Sequence, residues 1–197
     1  METKVESSTQ MRLWTVDEYH RMAEVGIIEP DERVELVAGR IIRKMSPQRT
    51  PHAVTITLIR RLLDNLLGEV VLIRTQLPIE LNNHSEPEPD VAVVIPDELR
   101  YFPHHPTPGE IYLLIEVADT TLRTDCNLKA TEYAGSGIQD YWVLEVNKRE
   151  LRVFREPTSE GYQSQVILEE TARVSPLEFP DLSIVVQQML PPVAESL

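Results

Sequence analysis

The segment IYLLIEVADTTLRTDCNLKATEYAGSGIQDYWVLEV, residues 111–146, decides how this chain folds. It opens on an apolar, strand-sized run, Ile111–Val117. A loop follows, then a helix from about Asp125 to Ser136, and a second strand is predicted at Tyr141–Val146. Glu116 breaks the apolar character of the first run near its end. An ionised carboxylate in such a place is costly unless it is paired or bound to a metal.

Working upstream, Asp90 opens another apolar strand, DVAVVI, at Asp90–Ile95. If this strand pairs antiparallel with 111–117, the start of one lies beside the end of the other. Asp90 and Glu116 then sit together at one edge of the sheet. Two carboxylates from neighbouring strands, with waters in the remaining positions, suit Mg2+. The plainer alternative is a strand-end Glu that reaches solvent. On the next helix Asp125 and Lys129 are four apart and share a face. One reading is a surface ion pair, or Asp125 as a simple N-cap. The other turns Lys129 towards the carboxylates, where it orients an attacking water and offsets charge on a phosphorane-like transition state.

The rest of the chain completes an order of helix, several strands, helix, strands. A first helix begins at Thr15, which has capping-box spacing to Glu18, and ends near Gly26. Pro30 and Asp31 mark a turn. Arg33–Val37 and Arg40–Met45 form a hairpin joined at Ala38-Gly39, and Ser46-Pro47 breaks the pattern. Apolar spacing predicts a buried helix over His52–Leu67, closed by Gly68, and then a long strand over Val70–Leu81. Residues 96–109 hold Pro96, Pro103, Pro106 and Pro108 and read as a long loop. Leu151–Arg155 is expected at a sheet edge because Lys148 and Arg149 sit in its turn. A last strand near Val166–Leu168 and a short helix near Ile184–Leu190 close the chain. The fold class is α/β, a mixed β-sheet flanked by helices. Residues 1–11 are expected to be disordered, 12–191 to form a single domain, and 192–197 to be a C-terminal tail.

Composition limits the function classes. The chain has 197 residues, 26% charged and 42% hydrophobic, an ordinary soluble balance. No apolar run is long enough for a membrane span, and METKVESSTQ has no hydrophobic signal core. The single cysteine, Cys126, excludes an internal disulfide and a cysteine-built zinc site. A cytoplasmic protein is expected. The net charge of −13 runs against a nucleic-acid partner, since phosphate binding draws on Lys and Arg. Yet Arg40, Arg43, Lys44, Arg49, Arg60 and Arg61 lie in a stretch without an acid. That stretch is either a stripe that steers a polyanion or a solvated surface that lacks acids. Tyr133, Tyr141 and Trp142 read as core residues rather than stacking platforms, and His104 and His105 as an exposed pair rather than a zinc site. Gln76 could approach the site from the neighbouring strand.

The pieces VELVAGRI, KMSP followed by His52, EPDVAVV and the whole of 115–146 resemble the Uma-type (Uma-two) restriction endonuclease family. This family is also known as domain of unknown function 820, of the PD-(D/E)XK nuclease superfamily. The resemblance spans roughly Leu13 to Leu190. It implies a restriction-endonuclease-like fold and a Mg2+- or Mn2+-dependent endonuclease acting on DNA. Pro89-Asp90 matches the PD half-motif, so Asp90 is implied as a metal ligand, and Glu116 as the second acidic ligand. The superfamily lysine lies two residues after that acid, where this chain has Ala118. In this family the lysine comes from the following helix, and Lys129 is the match. Glu35 matches an early acid that completes the metal site, although Val34-Glu35-Leu36 also reads as an alternating strand with Glu35 outward. His52 matches the family histidine after Ser-Pro, either structural or in contact with phosphate. Arg43, Lys44 and Arg49 are further candidate DNA contacts. Ala118-Asp119-Thr120 departs from the Leu-Ser-Pro type expected after Glu-Val. A homodimer is expected because cutting both strands favours two-fold symmetry. The rival reading is a nuclease-like binding or regulatory module without turnover, motivated by the net charge and by Ala118. A hydrolase of smaller phosphate esters ranks last, since no P-loop or GxGxxG is present.

Overall fold

The structure is a computed structural model that describes residues 11–44, 50–118 and 122–193. The expected disorder of 1–11 (Met11 apart), the Ser46-Pro47 break, Arg49, Asp119-Thr120 and the end of the tail lie outside the described residues.

Thr15 caps α1 (Val16–Glu24) with the reciprocal Thr15–Glu18 hydrogen bonds of a capping box. The hairpin β1 (Val34–Val37) and β2 (Arg40–Arg43) turns at Ala38 and Gly39, both with positive φ, as a two-residue hairpin turn requires. Next come the 18-residue helix α2 (Thr50–Leu67), β3 (Leu72–Thr75), β4 (Val91–Val94) and β5 (Ile111–Ala118). A continuous helical stretch follows, made of α3 (Leu122–Thr124), a π-helical turn (Asp125–Lys129) and α4 (Ala130–Gly135). The chain then runs through β6 (Asp140–Glu145), β7 (Glu150–Thr158), β8 (Gly161–Glu169), β9 (Arg173–Val174) and β10 (Ile184–Val185).

Six strands form one mixed sheet in the order β3-β4-β5-β6-β7-β8, antiparallel throughout except for the parallel pair β5–β6. Parallel neighbours need a crossover connection, and the α3–α4 stretch supplies it. Alternation along the strands divides the core into two layers. Val91, Val93, Leu113, Ile115 and Trp142 face α2 through Ile56, Ile59 and Leu63. Ala92, Leu114, Tyr141, Val143 and Phe154 face Tyr133 and Ala130 of the second helical layer. Asp90 and Glu116 have the parity of the second layer, which sets the direction of their side chains. Among the described residues no helix is long and apolar enough to cross a membrane.

Three expectations change. The long strand over 70–81 stops at Thr75, because Gln76 takes φ +51 and Pro78 has no N–H to give a ladder. The edge of the sheet is β8, not β7: charges in a hairpin turn reach solvent whichever strand lies outermost. The short helix expected near Ile184–Leu190 is a four-residue 3-10 helix, Val186–Met189, preceded by the two-residue β10.

Candidate active site

The antiparallel β4–β5 register sets Val91 opposite Ile115, so the next pair outward is Asp90 and Glu116. Their contacts interlock. The backbone N–H of Asp90 donates to Glu116 Oε2 at 3.3 Å, and that of Val117 donates to Asp90 Oδ2 at 2.9 Å. Both carboxylates are buried. The other oxygen of Asp90, Oδ1, lies 3.2 Å from His52 Nε2 and accepts from Gln76 Nε2 at 3.2 Å. His52 stands in the first turn of α2, so the positive end of an 18-residue helix dipole faces the Asp90 charge.

Lys129 closes the group from the other layer. Its Nζ lies 2.9 Å from Glu116 Oε1 and 3.0 Å from Glu35 Oε1, and its side chain is only 4% exposed. It is therefore not the surface partner of Asp125. Asp125 is itself buried, and its backbone carbonyl accepts from the Tyr141 hydroxyl at 3.1 Å. Lys129 ends the π-helical turn, an irregularity that shifts the phase of the helix and often marks a functional position. Glu35 reaches the cluster because the first hairpin leans on the segment before Asp90. The Glu86 N–H donates to Leu36 O at 2.9 Å, and the Glu88 N–H to Glu35 Oε2 at 3.0 Å. Glu35 thus points inward rather than to solvent.

Tyr133 belongs to the same group. It is a core residue, as its sequence context suggests, but its hydroxyl also donates to Glu116 Oε1 at 2.9 Å. The signal was its spacing, four residues after Lys129 on the same helical face. Tyr141 and Trp142 are fully buried core residues. Of the basic candidates, Lys44 donates to Glu88 O at 2.8 Å and pairs with its carboxylate at 3.1 Å, while the exposed Arg43 pairs with Glu32. His104 lies on Glu110 at 3.3 Å, in the loop at the far end of β4.

The electrostatics follow from burial. Glu116 is pushed up to about 8, chiefly by burial, with Lys129 opposing the rise and Asp90, Asp125 and Glu35 adding to it. Burial also raises Asp90, but the hydrogen bond and charge of His52, the Val117 N–H and Lys129 together hold it below the usual carboxylate range. Lys129 loses some basicity to burial and regains more from Glu116, Glu35 and Asp125, so it stays charged. Buried acids thus outnumber buried lysines, and a cation would relieve the surplus. The donors fit a hard divalent ion. Asp90 and Glu116 offer oxygen only, and a carboxylate has about four lone-pair directions. Among the described residues no three His, Cys, Asp or Glu side chains converge as a ready-made cage. Mg2+ does not demand one, since it keeps several waters and is commonly held by one or two carboxylates.

Residues 16–187 match the family model described as "Uma2: Putative restriction endonuclease". The chain belongs to the Uma2 family. Proteins of this restriction-endonuclease-like kind are usually metal-dependent. Among solved structures, a protein of Anabaena variabilis described as a putative nuclease belonging to DUF820 superimposes with a TM-score of 0.67 at 20% identity. The match covers 89% of this chain and 96% of the other, which shows a shared nuclease-like fold. No curated protein matches the sequence.

Proposed function

We propose that this Uma2 protein is a Mg2+-dependent endonuclease that hydrolyses DNA phosphodiester bonds, with Mn2+ able to replace Mg2+. The observation that carries the reading is Lys129, a buried ammonium held between Glu116 and Glu35 beside the Asp90–Glu116 carboxylate pair. Asp90 and Glu116 would hold the ion, with Glu35 assisting. The bound ion would supply Lewis acidity and neutralise charge on the scissile phosphate.

The remaining steps fall to the chain's own groups. Lys129 Nζ orients the attacking water and offsets charge as the phosphorane-like transition state forms. Tyr133 and the Asp90 N–H fix the two oxygens of Glu116. His52, on the amino end of α2, meets a phosphate oxygen, and Arg43 and Lys44 follow the backbone further out, with Arg49 a further candidate contact from the sequence. Two copies acting together would cut both strands.

Plasmid incubated with purified protein and Mg2+ or Mn2+ tests the reading. Wild type should nick supercoiled DNA, while Asp90→Ala and Lys129→Ala should be at background. Equal nicking by wild type and Asp90→Ala would mean that the activity comes from a contaminant and that this reading is wrong.

A further inference from the structure

β3 ends where the backbone turns left-handed. Gln76 takes φ +51, a conformation in which a side chain crowds the following carbonyl and which glycine, asparagine or aspartate normally fills. The other non-glycine residues with positive φ among those described are Ala38, Arg100, Tyr101, Arg149 and Glu156. They occupy hairpin turns, the loop at 96–109 and an exposed bulge in β7. Gln76 differs from them in what it holds. Its backbone N–H lies 3.2 Å from both the Pro89 and the Asp90 carbonyl oxygens, and its Nε2 donates to Asp90 Oδ1 at 3.2 Å. Main chain and side chain thus grip the same residue.

The chemistry fixes which way the amide faces. Asp90 Oδ2 accepts from the Val117 N–H and Oδ1 faces His52, so the carboxylate presents its oxygens as acceptors. The Nε2 end must meet Oδ1, and the Gln76 carbonyl oxygen points away from it. His52 approaches the same Oδ1 at 3.2 Å from α2, and Val117 N–H takes Oδ2. With the residue after β3, the first turn of α2 and β5 each contributing one donor, both oxygens of Asp90 are held from three sides. A glycine at position 76 would remove the strain and also the donor. Strain kept at one residue, where that residue touches a candidate ligand, is the pattern expected when geometry matters more than stability.

We infer that Gln76 is a positioning residue for Asp90, holding Oδ1 through Nε2 from a backbone conformation retained for that purpose. The metal readout below rests on the reading of Asp90 and Glu116 as a cation site, whereas the spectroscopic readout does not. The experiment compares full-length wild type, Gln76→Gly, Gln76→Glu and Asp90→Ala. Three quantities are read: melting temperature, the imidazole NMR signals of His52 in metal-free protein, and Mn2+ binding by calorimetry.

Gln76→Gly gives up a donor as it sheds strain, so its melting temperature should stay within about 2 °C of wild type. It should also shift the His52 signals and weaken Mn2+ binding about tenfold, the usual cost of losing a group that orients a ligand. Gln76→Glu keeps the shape but sets an acceptor against Asp90 Oδ1, so it should shift the His52 signals as Gln76→Gly does. Unmoved His52 signals in Gln76→Gly overturn the proposal, as does an unchanged Mn2+ affinity in a protein that binds the ion. A melting temperature for Gln76→Gly more than about 2 °C below wild type overturns the part of it that invokes strain. If wild type binds no Mn2+ at a site abolished in Asp90→Ala, the cation reading fails separately. The His52 signals then decide the role of Gln76 alone.

Discussion

Lys129 carries its charge into a place where water scarcely reaches, and two carboxylates keep it there. Lys129→Met should therefore leave Glu116 and Glu35 buried without a cation, at a cost of about 3–5 kcal/mol. The loss should be larger at pH 9 than at pH 6, where protonation relieves the orphaned carboxylates. Urea unfolding at the two pH values checks both size and direction, and a loss independent of pH would contradict the assignment. Glu116 gives a second pH signature. Its folded value of about 8 lies above the ordinary 4.5, so the native protein holds a proton that the unfolded chain releases. The stability linked to this proton is complete below pH 4.5 and is lost as pH rises towards 8. Metal-free protein should thus melt progressively lower from pH 6 to 9, and Mn2+ should remove most of that slope by favouring the ionised carboxylate. A flat profile without metal would mean that Glu116 is already ionised. Tyr133→Phe, which removes one donor from Glu116 Oε1, should cost about 1 kcal/mol and lower nicking without abolishing it.

At the scale of elements, the hairpin β1–β2 carries Glu35 to the site, and its turn has little tolerance. A Cβ on Gly39 would lie 2.6 Å from Leu13 Cβ, at a position already at φ +70. Gly26 is similarly left-handed, at φ +74, but nothing lies within 4 Å of a Cβ there. Gly26→Ala should thus lose about 1 kcal/mol from strain alone, and Gly39→Ala clearly more, because Leu13 and Trp14 must also move. Thermal melts of the two variants side by side separate clash from strain. The turn, the capping box of α1 and the strand–helix–strand order around Glu116 were legible in the sequence, because each depends on local chemistry. Asp90 and Glu116 were legible as a pair for the same reason, since strand parity and register are simple rules. The inward turn of Glu35 was not, since β1 is covered on both sides by parts of the chain distant in sequence. Lys129 rested on the family resemblance, because i, i+4 spacing serves a surface pair equally well. Tyr133 was read for its ring alone, and its hydroxyl found a partner that only the tertiary fold supplies. Nor does residue pattern reveal a left-handed glutamine, so the end of β3 stayed hidden.

For the whole molecule, the open question is how two copies of a chain with net charge −13 would meet, as the proposed cut through both strands requires. Like charge opposes contact over most of such a surface. The edge strand β8 is an exception. It runs nine residues, is hydrogen-bonded among the described residues only to β7, and from 161 to 168 reads GYQSQVIL, without a charge or a proline. Sheet edges are normally guarded by one or the other. Antiparallel pairing of β8 with the same strand of a second copy would be two-fold symmetric and would satisfy its outward N–H and C=O groups. It would also cover Val166 and Ile167, each 49% exposed and on opposite faces of the sheet. The expected outcome is a wild-type dimer in sedimentation velocity and a folded monomer for Ile167→Lys, which would set one charge from each copy on the paired edge. A monomeric wild type, or a dimer that survives Ile167→Lys, would remove β8 as the interface. With β8 as the interface, the monomeric variant should still nick one strand but lose double-strand cleavage, because each chain holds its own Asp90, Glu116 and Lys129.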